Sequence, residues 1–589
     1  MRNRSESRRD SGPAIERISF RQFLGIFSGV KLPWVLMLLM LVSSLYSYFF
    51  MVRVAHISGD IVDASGNIPD AELWAYATSM TLICLIGVVN SLLDGFTNEK
   101  IALGLRDKLW KKIIYMPLRY YGRDGGESLV SRITSDCNFA AAVFTTLIGV
   151  VTQIFGQYTY IKNMYGTSAQ LSNYMLLLLV PISLVAGWLF GRARYIVSQR
   201  TQATLADSTA YLIERTRNLR LIKAANAQAL EAELGREKFA VQYSVQLKTG
   251  IVTAMWSVID RGLALAGMAI AFIFGSILVA RGELTTGTVI TFYGLSGTIT
   301  MRFAGFIATF GSIREAIGAL ARVTRTLELP DEDVKSGIDL DIPDADIRLE
   351  NVRFAYEDRP VLDGFDCVIP RNRTTAVIGA NGSGKTTLFR LLARHYEPDA
   401  GIMYFGDTAA TEFNLHAWRR AFGLVAQDRP ILEGTIRENI TYGCLREVSD
   451  EELLQVAKMA RVYDFVKDLP DGFDSYVAPG GQNFSGGQRQ CIAIARAIMY
   501  NPDYLLLDEA TSNLDARNER MVTDALQNLM AGRTTVIIAH SLSAIRNADH
   551  VIIIKDGRVA SYGSPEDVFK ASEEYRDFVM SQRPADQPA

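Results

Sequence analysis

Six uncharged, mostly apolar runs punctuate the first half of the chain: 33–52, 73–93, 137–161, 163–191, 262–280 and 284–301. Each is close to the roughly 20 residues that an α-helix needs to cross a bilayer. The fourth is over-long, and its spanning part is expected to begin near Tyr174, after the polar turn NMYGTSAQLSN. The fifth has an apolar preface, 249–259, broken only by Asp260 and Arg261, and the sixth continues beyond Arg302 as 303–313. Any one run reads equally well as a buried helix of a soluble protein. Six of them, several with short connections, predict a polytopic α-helical membrane domain of six transmembrane helices.

Charge orients those helices. The first 32 residues carry Arg2, Arg4, Arg8, Arg9, Arg17, Arg21 and Lys31, whereas 55–72 holds four acids and neither Lys nor Arg. The connections 94–136 and 192–248 are again rich in Lys and Arg. Lys and Arg mark the inner side, so both termini are expected in the cytosol. The polar N-terminal stretch is not a cleavable signal, because the first apolar run spans at full length. Apart from Pro117 and the GRDGG stretch at 122–126, the two inner connections lack clustered helix breakers. They are expected to be helical extensions reaching tens of ångströms into the cytosol, each pair joined by a short turn.

Beyond residue 325 the pattern changes. Residues 326–346 are acidic and contain Pro330 and Pro343, the composition of an interdomain linker. Strand-like and helix-like segments then alternate: RLENVRFAY, TTAVIGA, TLFRLLARHY, YLLLDEA and TTVIIAH. Such alternation predicts an α/β core. At 589 residues, 49% hydrophobic and 21% charged, with a net charge of −2, the chain is neither disordered nor a generic nucleic-acid binder. Five scattered cysteines, without CxxC or Cys/His spacing, argue against a disulfide framework and a zinc site.

The chemistry is concentrated between 379 and 387. Gly379-Ala380-Asn381-Gly382-Ser383-Gly384-Lys385-Thr386 fits G-x-x-x-x-G-K-[ST] between an apolar strand and the helix TLFRLLAR. Glycines let backbone N–H groups curl around phosphates, and the helix N-terminus favours an anion. Lys385 is expected to reach the β- and γ-phosphates and Thr386 to ligate Mg²⁺. A glycine-rich turn that happens to contain GKT is the bland alternative, and the flanking strand and helix argue against it. Downstream, Tyr504 to Glu509 is an apolar strand ending in Asp508 and Glu509, a rigid place for a metal-holding acid and a base. Paired acids at a strand end are common surface features and carry little alone.

Phe484-Ser485-Gly486-Gly487-Gln488-Arg489-Gln490, lying between these two motifs, resembles the signature of ATP-binding cassette proteins. Other parts fit in that family's order: Tyr356 as the adenine-stacking aromatic, Gln427 in the Q-loop, Asp515 in the D-loop and His540 as the switch histidine. The segments 105–136 and 214–226 resemble the first and second intracellular loops of the family's exporters, the multidrug and peptide half-transporters. The resemblance therefore implies six transmembrane helices with long cytosolic extensions, fused to an α/β P-loop ATPase domain of cassette type. It implies catalytic roles for Glu509, His540 and Gln427, and ATP contacts from Tyr356, residues 379–387 including Thr387, Ser485, Gly486, Gly487, Gln488 and Asp515. Mg²⁺ would be held by Thr386, Gln427 and Asp508. Ser485 and Gly487 would cap the ATP of an opposite subunit, so a second half-transporter, most simply an identical one, is the implied partner. Pro479 stands where exporters often carry Glu, which bears on how this loop meets the membrane-domain loops.

Expected boundaries follow: a cytosolic segment 1–32, a transmembrane domain 33–325, a linker 326–346, a nucleotide-binding domain 347–582 and a tail 583–589. The expected setting is a bacterial-type inner membrane, with ATP and Mg²⁺ as cofactors, the lipid bilayer and a transported substrate as partners, and no nucleic acid. Asp260, Arg261 and Arg302 have three open readings: an ion pair between adjacent helices, a polar wall of the substrate cavity, or side chains snorkelling to headgroups. No peptidase domain precedes the first span, so a leader-cleaving peptide exporter is not expected. An exporter of a small molecule, peptide or amphipathic compound is the leading expectation; a lipid or glycolipid flippase, an importer of the same architecture and an ATP-gated channel regulator are its rivals.

Overall fold

Helices run well past the apolar stretches that predict them in the computed structural model, which describes residues 20–64, 69–121, 128–338, 345–357, 359–426, 430–508, 516–539, 545 and 548–581. The side chains of some helical positions, Arg302 among them, lie outside that set. Two compact units emerge, Met1–Tyr115 with Asp124–Leu329, and Met116–Arg123 with Pro330–Ala589. The first contains, among the described residues, α1 (Phe20–Phe27), α2 (Trp34–Asp63), α3 (Asp70–Tyr115), α4 (Cys137–Thr167), α5 (Ala169–Arg217), α6 (Leu219–Ala224), α7 (Gln228–Ala280) and α8 (Thr286–Glu328). With 46, 49, 53 and 43 residues, α3, α5, α7 and α8 measure about 65–80 Å at 1.5 Å per residue. A hydrocarbon core is about 30 Å thick, so each has length to spare. Among the described residues, 34–63, 70–115, 128–167 and 228–280 are long and apolar enough to cross a membrane. The fourth apolar run begins in the last turn of α4 and continues in α5, and the sixth lies in α8 but for its first two residues; α5 and α8 include side chains outside the described set.

One expected turn is smaller than its sequence suggests. Within NMYGTSAQLSN only Ser168 leaves the helical region (φ −157°, ψ 114°), and α5 already starts at Ala169, five residues before the position near Tyr174 where its spanning part is expected to begin. The Ser168 hydroxyl accepts from Leu171 N at 3.4 Å and so caps the new helix. Likewise α7 passes through Asp260 and Arg261 without a break.

Five of the long helices share a core of Tyr48, Val52, Tyr160, Met164, Leu171, Met175, Ala271, Phe292 and Leu295. Beside it Gly59 meets Gly287 so closely that a Cβ on Gly59 would lie 2.5 Å from the Gly287 carbonyl oxygen. The Asp63 carboxylate accepts from Gly287 N at 2.6 Å and from Thr285 Oγ1, tying the end of α2 to the start of α8. Toward the other end of α8, Asp136, the last residue of a π-helical turn at Arg132–Asp136 that leads into α4, takes a bidentate bond from Arg322 (2.8 and 2.6 Å). Lys108 Nζ donates to the carbonyls of Gly25, Ile26 and Ser28, closing the C-terminus of α1.

The second unit is α/β. Its strands are β1 (Ile347–Tyr356), β2 (Arg359–Ile369), β3 (Thr374–Gly379), β4 (Ala400–Phe405), β5 (Thr408–Ala409), β6 (Phe422–Val425), β7 (Gly434–Thr435), β8 (Tyr476–Val477), β9 (Tyr504–Asp508), β10 (Thr534–Ile538), β11 (His550–Lys555) and β12 (Arg558–Gly563). Helices used below are α9 (Lys385–Leu392), α10 (Leu415–Ala421), α11 (Ile436–Thr441), α12 (Gly486–Tyr500) and α13 (Ala516–Met530). The central sheet runs β12-β11-β3-β10-β9-β6, parallel except for β12, and an antiparallel sheet runs β2-β1-β4-β5. Continuous apolar strands such as YLLLD are buried on both faces, as parallel strands require.

The expected linker 326–346 is not a free connector over its described part. Residues up to Glu328 complete α8. Ile338 then bridges to Phe413, donating to Glu412 O at 2.7 Å and accepting from Asn414 N at 3.2 Å. Glu332 takes both terminal nitrogens of Arg419 on α10 at 2.7 and 2.9 Å. This pairing gives the acidic composition a partner and places 330–338 in the second unit. Residues 116–123 also belong to that unit rather than to the expected membrane domain. Residues 1–19, 339–344 and 582–589 lie outside the described set.

Candidate active site

The register of the parallel strands determines where the motifs emerge. Ile538 pairs with Asp508 and Val377, and Val425 pairs with Leu507, so β3, β10, β9 and β6 end level with one another. The chain leaving β3 is the glycine loop 380–384, and β9 ends in Asp508. Glu509 is the next residue after β9, His540 follows β10 by two residues and Gln427 follows β6 by two. Those three and Asp515 lie outside the described residues. Carboxyl ends of parallel strands are where open α/β sheets bind ligands.

The loop is built around a lysine. Lys385 opens α9 and is buried, with Nζ donating to the carbonyls of Gly379 (2.8 Å) and Ala380 (3.0 Å). Gly384 sits at φ 112°, and a Cβ there would lie 2.7 Å from Leu362 Cδ2. A Cβ on Gly379 would lie 2.4 Å from the Ile554 carbonyl oxygen and 2.6 Å from Ser383 Oγ. The Ser383 hydroxyl is buried without a hydrogen-bond partner. A cradle of backbone amides, an ammonium and an unspent hydroxyl suits a polyphosphate. Asn381, Gly382 and Thr386 face outward, as contacts to a ligand must.

Tyr356, at the end of β1, is half-buried beside this helix. Its hydroxyl accepts from Arg390 Nη1 at 2.9 Å and from the buried Thr387 at 3.4 Å. Its ring packs edge-on against Phe354 and Tyr396 at 4.9 and 5.4 Å, which makes it part of the packing at the strand end.

Ser485 forms the N-cap of α12 in a capping box: its hydroxyl accepts from Gln488 N (3.2 Å), and Gln488 Oε1 accepts from Ser485 N (2.8 Å). Gln488 therefore shapes the helix start that presents Ser485, Gly486 and Gly487. Ser485 is exposed, whereas Gly487 is buried. Pro479 lies in a 3₁₀ turn (Pro479–Gly481), which Arg489 holds through the carbonyls of Gly481 and Phe484. The glycine loop and the signature stand on different cores. Leu388, Phe389 and Leu392 of α9 pack with β1, β2 and Trp418, whereas Cys491, Ile492 and Ile494 of α12 pack with Ile436, Leu453 and Val466.

Sequence reasoning missed a clamp within the signature's own core. Arg496 of α12 donates to Pro430 O (2.9 Å) and to both oxygens of Asn439 (2.8 and 2.9 Å), fixing the chain just beyond Gln427. A lone arginine in the apolar run CIAIARAIM is the signal that was available. Burial pushes the thiols of Cys367 and Cys491 up to about 12, which makes both packing residues. Among the described residues no three His, Cys, Asp or Glu side chains converge on one point. Mg²⁺ does not require such a cage, since it keeps several waters and shares substrate phosphates. The hard oxygens of Thr386 and Asp508 suit it.

In the other unit, Asp260 is half-buried and Arg261 exposed on α7, whereas Arg302 has only its backbone, in α8, within the described set. Asp260 lies 20 residues from the end of α7 at Ala280, and Arg302 lies 16 from the start of α8. These separations are axial depths of about 30 and 24 Å.

Comparison with known proteins agrees with both halves. Residues 362–512 match the ABC transporter family and 34–303 match the ABC transporter transmembrane region. A multidrug resistance ABC transporter ATP-binding and permease protein of Lactococcus lactis is 28% identical over 599 residues, covering 99% of this chain and 98% of that protein. An ATP-dependent lipid A-core flippase of Syntrophus aciditrophicus is 30% identical over 489 residues, covering 82% and 81%. A mitochondrial potassium channel ATP-binding subunit of Xenopus tropicalis is 30% identical, covering 87% and 76%. With the transmembrane-region match followed by the ATPase match in one chain and a relative 30% identical over most of both chains, this protein belongs to the ATP-binding cassette transporter family.

Proposed function

We propose that this multi-pass membrane ATPase works as one half of a homodimeric exporter, with its cassette on the cytosolic side of a bacterial-type inner membrane. Hydrolysis of ATP coupled to transmembrane transport is the family's activity; direction, partner and residue roles are our reading. The observation that carries it is the division of ATP-site parts between two cores of one cassette. Lys385 and the loop 379–387 bind the phosphates from one side. Ser485, exposed at the start of α12, is suited to cap the nucleotide of a second copy.

Glu509 takes a proton from the attacking water, or polarises it, and His540 contacts the γ-phosphate. Gln427 follows β6 and senses the same water. Tyr356 bears on the adenine, and Asp515 contributes to nucleotide binding. Thr386, Asp508 and Gln427 would hold Mg²⁺, which supplies charge neutralisation on the phosphates when bound. Closure of two cassettes around two ATP molecules turns the helical cavity outward, and hydrolysis resets it.

The test is ATP-dependent accumulation of Hoechst 33342 or a fluorescent peptide in sealed inside-out vesicles, with EDTA and Lys385→Ala as controls. Accumulation that both controls remove supports export; ATP hydrolysis without any concentrative movement contradicts it. A flippase reading is favoured by the 30% identity to a lipid A-core flippase. It predicts ATPase stimulation that depends on lipid headgroup in liposomes. Uptake in the opposite direction would identify an importer, and a channel-gating role, suggested by the Xenopus relative, would give no gradient at all.

A further inference from the structure

The cytosolic ends of α3 and α8 continue directly into two short segments, Met116–Tyr121 and Pro330–Ile338, that both belong to the ATPase unit. Within that unit the segments share one cavity of about 800 Å³, lined among others by Pro117, Arg119, Tyr120, Asp331, Glu332 and Tyr396. Glu332 is its fixed point. The side chain is 14% exposed and is gripped by both terminal nitrogens of Arg419, one of which also donates to Arg394 O at 3.0 Å. Arg394 is itself buried, donates to Phe413 O at 2.8 Å and lies over the Trp418 ring. From the other segment, Arg119 reaches Asp399 at 3.8 Å. The Tyr121 phenol, in that same segment, is pushed above its ordinary range by burial and then by the Glu332 charge.

We infer that Glu332, held by Arg419, is a positioning residue for coupling: it locks the chain leaving α8 onto α10, at the wall that also receives the chain leaving α3. Movement of the cassette is then carried into α8 by a bonded strap. The inference rests on the ATP-driven transport reading and adds to it the residue pair that transmits the stroke. A bidentate Arg–carboxylate pair suits this task, because two parallel bonds resist rotation as well as separation. Neither residue hydrogen-bonds the glycine loop or Asp508 in the contacts of the pair, so its loss is expected to spare nucleotide trapping.

The test uses full-length protein in nanodiscs, with a spin label on Asp70→Cys at the exposed start of α3 and Cys84→Ser to silence the exposed thiol. Vanadate-trapped ADP and the spin-label distance distribution are read on the same samples. Glu332→Gln is expected to trap nucleotide within about twofold of wild type, while the trapping-induced distance shift falls by more than about twofold, a coupling loss of ordinary size. Glu332→Asp, which keeps the carboxylate, should recover most of the shift, and Arg419→Gln should repeat the loss from the other side. A merely structural role predicts parallel losses of melting temperature and trapping, with the shift per trapped nucleotide unchanged; that result overturns the inference. If Glu332→Gln does not fold, Arg419→Gln and Glu332→Asp decide by the same ratio. A wild type that neither traps nucleotide nor shifts refutes the transport reading instead, whatever Glu332 does.

Discussion

The two units of this chain solve opposite problems. The ATPase unit must hold one invariant ligand, and that demands particular atoms at particular points. Lys385 needs the carbonyls of Gly379 and Ala380, Gly384 needs a backbone closed to other residues, and Ser485 needs Gln488 to finish its cap. The helical unit must be apolar enough to sit in lipid and long enough to reach beyond it, a requirement that many side chains satisfy. Among the described residues its exacting contacts include the glycine approach at Gly59 and Gly287, the Lys108 clasp on the end of α1 and the pairs Asp63–Gly287 and Asp136–Arg322. Chemistry that recognises a fixed ligand leaves motifs, whereas chemistry that shapes a surface leaves only hydropathy.

Substitutions should therefore separate the units sharply, and the largest effects belong to the cassette. Glu509→Gln is expected to slow turnover by about 10²–10⁴-fold, the usual worth of a general base, while leaving ATP binding intact in an equilibrium assay. Turnover at the wild-type rate would remove Glu509 from that role. Gly379→Ala comes next: its Cβ must displace the Ile554 carbonyl, which we expect to cost about 1–3 kcal/mol. A several-degree drop in melting temperature together with weaker ATP binding is the outcome to look for. In the helical unit, Asp136→Asn loses one charge of a pair whose carboxylate is buried and whose arginine is half-exposed. An intermediate cost of about 1–2 kcal/mol is expected, with ATP affinity unchanged; a fall in ATP affinity would blur the comparison.

The smallest effects should come from Asp260 and Arg302. As parts of a cavity wall, Asp260→Asn and Arg302→Gln should leave melting temperature and basal ATPase near wild type and alter only which compounds stimulate hydrolysis. If the two form a buried pair, each single change destabilises and the double change is milder, which a double-mutant cycle detects. Wild-type behaviour of both singles and the double in both assays would leave snorkelling as the remaining account.

The same asymmetry explains what could be read in advance. The α/β alternation, the glycine loop and the Asp508 strand are local, and β3, α9 and β9 stand where those patterns put them. The six helices were legible from composition, but their ends were not. Uncharged runs stop at the first charged residue, whereas α2 continues past Arg53 to Asp63 and α7 passes Asp260. Helical hydrogen bonding is indifferent to where lipid ends. The turn after α4 shrank to Ser168 because one capping hydroxyl suffices. The segment 330–338 read as a linker because it has no apolar period. What holds it is Arg419, 87 residues from Glu332, and no local pattern reports a partner that distant. Arg496 is similar, being tied to Pro430 and Asn439 at 66 and 57 residues' separation.

The central claim is that each ATP site is assembled from two chains, and mixed dimers test it most directly. One subunit carries Lys385→Ala and the other Ser485→Arg, and vanadate-trapped nucleotide is counted per dimer. If sites are shared in the proposed way, both lesions fall on one composite site and the other is intact, so about one nucleotide is trapped, against about two for a fully wild-type pair with independent sites. If each cassette instead completes its own site, both sites carry a lesion, and trapping near zero would contradict the account.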